Sequence, residues 1–291
     1  MLPFARVTIV GLGLIGSSIA RAVQAAMPTV RLTGYDASPA VRERVRELGF
    51  CDDVTDTPGA SVIDADLVIL CVPVGAMGAA AAELADDLPA DAIVSDVGSS
   101  KASVIAALGG ALPGATIIPA HPVAGTENSG PDAGFASLFH GRWCIVTPPE
   151  GADPAAVERV ATFWKRLGAN VEKMDPRHHD LVLAVTSHLP HLIAYTIVGT
   201  ASDMEGVTQS EVIKYSAGGF RDFTRIAASD PTMWRDVFMN NREAVLEVLQ
   251  RFQEDLFYLQ RAIRWGEADK LFELFSRTRE IRRALIHLHQ E

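Results

Sequence analysis

A short β-branched run, Arg6 to Val10, leads straight into Gly11-Leu12-Gly13-Leu14-Ile15-Gly16, and an Ala-rich stretch follows at once. This order of strand, glycine turn and helix constrains the chain more than any other feature in it. Glycine at the first position permits a tight turn, at the second lets backbone N–H groups approach a pyrophosphate, and at the third allows close packing of helix on sheet. The helix N-terminus adds partial positive charge at the same spot. Gly11, Leu12, Gly13, Leu14, Ile15 and Gly16 are therefore expected to cradle a dinucleotide. Asp36 ends the next β-branched run, and 36 minus 16 places it 20 residues beyond the third glycine. A carboxylate there accepts the hydroxyls of an adenosine ribose and repels a 2′-phosphate. NAD is the expected cofactor, with NADP disfavoured. Val72 and Pro73 follow the run Leu67 to Cys71 and are expected to wall the nicotinamide side.

Short β-branched runs alternate with helical stretches to about residue 150, a rhythm that predicts βαβ units and a parallel sheet with helices on both faces. Strands are predicted at Arg6 to Val10, Arg31 to Tyr35, Leu67 to Cys71, Ala92 to Asp96, Thr116 to Pro119 and Cys144 to Thr147, in one continuous sheet. A helix from Pro154 to Leu167 and a strand from Asn170 to Met174 complete this part. After Pro176 the pattern is helical throughout. Val245, Val248, Leu249, Phe252, Leu256, Leu259 and Ile263 form one apolar stripe at three-and-four spacing, read first as core and second as a dimer seam. The expected fold is an α/β Rossmann-type doubly wound sheet over residues 1–175, followed by an all-α substrate-binding and dimerisation domain over 176–291.

Composition narrows the partners. Lys and Arg number 26 against 36 Asp and Glu, a formal charge of -10, which argues against nucleic acid or an anionic membrane. No uninterrupted apolar run nears the ~18 residues of a spanning helix, and the N-terminus lacks a basic-then-apolar leader, so a cytoplasmic location is expected. Cys51, Cys71 and Cys144 show no paired spacing and are expected to be buried, inert thiols. His188 and His191 flank Pro190 without an H-E-x-x-H pattern, so no metal is expected.

Two more strand ends carry polar clusters, Asp96-Val97-Gly98-Ser99-Ser100-Lys101 and His121-Pro122-Val123-Ala124-Gly125-Thr126-Glu127. Ligands of open α/β sheets sit at the carboxyl ends of strands, so both clusters are expected to face the nicotinamide. A histidine before proline is more often structural; the Gly, Thr and Glu around His121 turn the reading toward a general base. Farther on, Gly218 to Arg225 joins flexible backbone to two arginines in an acidic chain, where a guanidinium fork suits a substrate carboxylate as readily as a surface ion pair.

Taken together, Gly11 to Ser18, Asp96 to Lys101, His121 to Gly130, His178 to Asp180, Ser187 to His191, Gly218 to Arg225 and Asp230 to Asp236 resemble the prephenate dehydrogenase family, with its cyclohexadienyl and arogenate dehydrogenases of tyrosine biosynthesis. The resemblance implies oxidative decarboxylation of prephenate or arogenate to 4-hydroxyphenylpyruvate or tyrosine, with hydride passing to NAD. It implies that His121 accepts the proton of the ring hydroxyl, that Ser99 orients that hydroxyl, and that Lys101 lies near the substrate. It further implies that Arg225 grips a substrate carboxylate, that His191 lines the same pocket, that Gly218 and Asp222 shape its far side, and that Thr126 and Glu127 stand at its entrance. In the family a single Ser precedes Val or Thr and then Lys, whereas Ser99 and Ser100 are adjacent here, which leaves open which serine meets the substrate. A homodimer through the helical part is implied. The chain ends at Glu291 after a helix, so no appended regulatory domain is expected, and feedback by tyrosine would act in the substrate pocket itself.

Two other readings stay open. A β-hydroxyacid dehydrogenase also joins a nucleotide domain to a helical one, but would carry a helical-domain Lys-x-x-x-Asn that is absent here. A non-catalytic NAD-sensing regulator would bind cofactor and turn over neither substrate.

Overall fold

A computed structural model describes residues 2–126, 128–208 and 217–286. Six strands, β1 (Arg6–Val10), β2 (Arg31–Tyr35), β3 (Asp53–Val54), β4 (Leu67–Leu70), β5 (Ile93–Asp96) and β6 (Thr116–Ile117), form one parallel sheet in the order β3-β2-β1-β4-β5-β6. Helices α1 (Leu14–Ala26), α2 (Pro39–Leu48), α3 (Met77–Ala82) and α4 (Ala102–Ala111) connect its strands. Strand β4 reads LVIL and is wholly buried because helices cover both faces. Its side chains alternate: Leu67 and Ile69 join Ile9, Ile19 and Leu32 on one side, while Val68 and Leu70 join Val10, Val94 and Leu108 on the other. The chain winds outward from β1 to β3, then returns to β4 and winds the other way. The crevice beyond the ends of β1 and β4 is thus the point where the winding reverses, the place such sheets bind ligands.

The predicted single sheet breaks in two. After Ile117 the chain leaves the ladder, and β7 (Ala120–Pro122), β8 (Trp143–Val146) and β9 (Asn170–Lys173) make a separate three-stranded sheet. Strand β7 runs antiparallel to β8, which runs parallel to β9. Pro119 and Pro122 cannot donate to a ladder, which explains both the break and the brevity of β7. His121, expected in a loop, therefore sits mid-strand opposite Ile145. Helix α5 (Pro154–Arg166) packs Phe163 and Trp164 into the larger core with Phe4 and Phe139.

Beyond Asp175, which caps the next helix by accepting from the N–H groups of Arg177 and His178, the described residues are helical. Helix α6 (Pro176–Leu183) passes through a π turn (Ala184–His188) into α7 (Leu189–Thr208), and α8 (Gly218–Thr224) and α9 (Pro231–Asn240) follow. Packing divides the chain into compact units Met1–Arg242 and Glu243–Glu291. The run Pro176–Met204 is long and apolar enough to cross a bilayer, although polar residues interrupt it. Its fully buried His179 and His188 are nonetheless hydrogen-bonded into the protein interior.

Helix α10 (Arg242–Trp265) carries the apolar stripe, and α11 (Ala268–Ile286) follows it with further apolar residues. The core reading of it holds at Val245, which is buried, but Leu256 and Ile263 are exposed, as are Phe257 at 67% and Phe272 at 74%. A single copy of the chain leaves this apolar face in water.

Candidate active site

The glycine turn has the shape its residues require. Gly11 adopts φ +95, where a side chain is strained, and a Cβ there would stand 2.7 Å from the Cys71 carbonyl oxygen. Its N–H donates to Tyr35 O at 2.8 Å, tying the turn to β2. Gly16 lies against the Gly11 carbonyl so closely that any Cβ would collide with it. Gly13 faces open space, room of the kind a pyrophosphate needs, and α1 begins at Leu14 beside it, with Ile15 half-buried. The Asp36 carboxylate accepts from Leu12 N and Ser38 N, each at 2.9 Å, which holds it at the edge of the turn. Val72 is half-buried against Gly11, and Pro73 is exposed. Turn, acid and open space together fit a dinucleotide, with Asp36 and Gly13 as the residues that would meet ribose and phosphates.

A chain of hydrogen bonds starts at β7. His121 Nδ1 lies 2.9 Å from His179 Nε2, and His179 Nδ1 lies 2.9 Å from Asp180 Oδ1. Asp180 in turn accepts from Lys101 N at 2.7 Å and Ala102 N at 2.9 Å, which satisfies two free N–H groups at the start of α4. Burial, and after it the proximity of the His179, Lys101 and His188 side chains, holds the His121 imidazole well below its ordinary value. His121 is therefore neutral at physiological pH and able to accept a proton. The ring is 8% exposed, and among the described residues its Nε2 has no protein partner.

Lys101 is turned into the interior. Its fully buried ammonium donates to Asp96 Oδ2 at 2.5 Å and to Ala120 O at 2.8 Å, so it braces the strand that carries His121. Burial pushes the Asp96 carboxyl up and the Lys101 ammonium down, and their contact opposes both. Lys101, expected near the substrate, thus stands behind β7 as a support for it. Ser99 is half-buried, whereas Ser100 is fully buried with no partner for its hydroxyl among the described residues. Neither makes a hydrogen bond to His121 among the described residues.

Helices after α6 supply an opposite wall. His191 stacks on Trp234 with centroids 3.6 Å apart and donates from Nδ1 to Ser187 O at 2.9 Å. His188 faces Asn241 Nδ2 at 3.0 Å through Nδ1, and its buried Nε2 has no partner, nor has Trp234 Nε1. Burial lowers His188 to about 4. Arg225 is exposed, lies close enough to His191 to lower it further, and has no carboxylate partner among the described residues. Gly218 and Asp222 are exposed on α8, and Thr126 is exposed and accepts from Asn128 N at 3.2 Å. Glu127 lies outside the described residues. Near the cofactor turn, Asp236 of α9 stands over Gly75, which brings this wall toward the end of β4.

Sequence patterns named His121, His191 and Arg225 but assigned no role to His179, Asp180, Trp234 or Asn241. The available signal was His179-Asp180 directly after a helix cap, a ring and a carboxylate where an apolar helix begins. The three cysteines are free, and burial raises each thiol, Cys51 to about 12, which leaves them unreactive.

A doubly wound sheet with an open glycine turn and an acid at the second strand, in a chain that also holds a neutral, nearly buried histidine, defines a dinucleotide-dependent oxidoreductase. Comparison with known proteins narrows the class. A family model described as the nucleotide-binding domain of prephenate dehydrogenase matches residues 19–173, and one described as its dimerization domain matches residues 175–277. The cyclohexadienyl dehydrogenase of Zymomonas mobilis is 47% identical over 285 residues, 98% of this chain and 97% of that protein. Prephenate dehydrogenase from A. aeolicus, solved in complex with hydroxyphenyl propionate and NAD+, matches with a TM-score of 0.90 at 35% identity, covering 98% of each chain. Arogenate dehydrogenase from Synechocystis matches with a TM-score of 0.83 at 25% identity, over 96% of this chain and 99% of that one. The chain belongs to the prephenate dehydrogenase family.

Proposed function

We propose that this chain carries out the NAD-dependent oxidative decarboxylation of prephenate and arogenate, giving 4-hydroxyphenylpyruvate and tyrosine. The observation that carries the reading is His121, a neutral imidazole with an unengaged Nε2 in a chain whose glycine turn has the shape a dinucleotide needs. His121 Nε2 takes the proton of the C4 hydroxyl as the hydride leaves C4. Bound NAD+ supplies the acceptor for that hydride. The bond from the ring to its carboxylate breaks, CO2 departs, the electron pair left behind completes the aromatic ring, and the ring oxygen takes back the proton held by His121. Aromatisation drives the reaction, so the protein need only align C4, hold the carboxylates and supply a base worth ~10² to 10⁴-fold.

Arg225 pairs with a substrate carboxylate, and His191, stacked on Trp234, lines the same pocket. Ser99, the more accessible of the two serines, orients the hydroxyl. Gly218 and Asp222 shape the far side, and Thr126 and Glu127 form the entrance. Asp36 favours NAD over NADP through the ribose hydroxyls. The exposed apolar face of α10 and α11 closes a homodimer, in keeping with the matched dimerization model. The domain boundary at 175/176 and a cytoplasmic location belong to the same reading, and tyrosine as product competes in the pocket.

Initial-rate absorbance of the reduced nicotinamide, with prephenate and arogenate each tested against NAD and NADP, checks the reading. Turnover with either substrate and a preference for NAD are expected. Silence in all four combinations leaves a nucleotide-binding protein without this chemistry.

A further inference from the structure

The proposed reaction needs the His121 lone pair on Nε2, yet a neutral imidazole can equally carry its proton there. We infer that His179 and Asp180 fix His121 in the tautomer protonated on Nδ1, so that Nε2 is the basic nitrogen; the inference rests on the function proposed above. Three facing pairs decide it. Asp180 Oδ1 and Oδ2 receive the N–H groups of Lys101 and Ala102 at 2.7 and 2.9 Å, so both oxygens are committed as acceptors. The ring nitrogen facing Oδ1, His179 Nδ1 at 2.9 Å, must therefore donate. A neutral His179 has a single N–H, so its Nε2 offers a lone pair to His121. At 2.9 Å from that lone pair, His121 Nδ1 must donate in turn, and its Nε2 is left unprotonated.

A second proton on His179 would reverse this order, because Nε2 would then donate to His121. Burial lowers His179 in spite of its bond to Asp180, and the nearby Lys101 charge acts in the same direction. Rigid surroundings hold the relay in place. Asn241 Nδ2 donates to Asp180 O at 2.8 Å while also facing His188, and the two imidazoles of the relay meet edge to face at an interplanar angle of 74°. His179 is thus a positioning residue, acting through His121 without touching the substrate, much as a carboxylate orients the base in a hydrolase triad.

Two measurements test the inference. The first is tautomer assignment by two-bond ¹H–¹⁵N correlation in the full-length protein labelled with ¹⁵N-histidine, the His121 signals being those absent from His121→Asn. The Nδ1–H form is expected at His121, and the Nε2–H form overturns the inference; neither outcome depends on turnover. The second is kinetic. His179→Leu is expected to lower kcat by about 10²-fold with KM for prephenate within about twofold. His179→Gln, whose amide can accept from His121 and donate to Asp180, is expected to recover kcat to within about tenfold of wild type. In His179→Leu the acid limb of the kcat/KM profile is expected to move to lower pH, because the His121 imidazolium loses its acceptor. That limb is also set by the other groups facing His121: Lys101 and Asp96 from the α4 approach and β5, His188 from the π turn, Cys144 from β8, and Asp180. Full kcat in His179→Leu overturns the relay while wild type still turns over; a silent wild type instead sinks the parent reading.

Discussion

The two walls of the site are built on opposite plans. Around His121 the charged and ring neighbours are buried and braced: Lys101 is held by Asp96 and Ala120, and His179 by Asp180. Around Arg225 the residues are exposed, and the guanidinium has no ion-pair partner among the described residues. A proton acceptor gains from such preorganisation, since its pKa and tautomer must be set before the substrate arrives. A carboxylate clamp needs no preset partner, because the ligand brings the counter-charge and an exposed Arg avoids the cost of a buried unpaired cation.

This contrast can be broken at either wall. The largest effect is expected at the base: His121→Asn should lower kcat by ~10² to 10⁴-fold with little change in KM, read by steady-state kinetics. Near-full kcat would mean the base lies elsewhere. Next comes the brace. Lys101→Met strands Asp96 in the interior and should cost about 3 to 5 kcal/mol in denaturant unfolding, and adding Asp96→Leu should return much of that. A loss under 1 kcal/mol or so would show the pair to be solvated. At the open wall, Arg225→Ala should raise KM by roughly 10- to 100-fold, the loss of one charged hydrogen bond, with kcat nearly unchanged and folding stability untouched. If unfolding shifted as much as for Lys101→Met, the two walls would not differ as described.

The smallest effect is on pH dependence. His188 stays neutral in the fold to about 4, whereas an unfolded histidine takes up its proton near its ordinary value of 6.5. Between those values the unfolded chain binds more protons, so stability rises with pH there. Stability should therefore be full above 6.5 and decline as pH falls toward 4, with His121 and His179, also lowered, adding to the decline. His188→Gln should flatten this part of a melting-temperature series, and an unaltered slope would assign the loss to other groups.

Legibility in the sequence followed the range of the interaction. Strands β1 and β2 and helix α2 fall where local pattern puts them, because alternation, a glycine turn and a capping serine before Pro39 act within a few residues. Strand β7 escaped notice because three residues with a terminal proline carry no periodicity. The ion pair of Lys101 with Asp96 could not be read in advance, because the spacing of the two residues says nothing of the burial that joins them. The stripe on α10 reads alike for core and seam, since periodicity tells which residues share a face and not what covers it.

From its own residues the chain determined a dinucleotide turn with an acid at the second strand, a parallel sheet, a helical second part, and His121 and Arg225 as candidates, all through contacts between near neighbours. Tertiary structure alone decided that Asp180 meets Lys101 across 79 residues and His179 meets His121 across 58. No local signal encodes such pairings. They exist only once β7 and α6 are packed together out of water, where a hydrogen bond has no competitor and so dictates which nitrogen holds the proton.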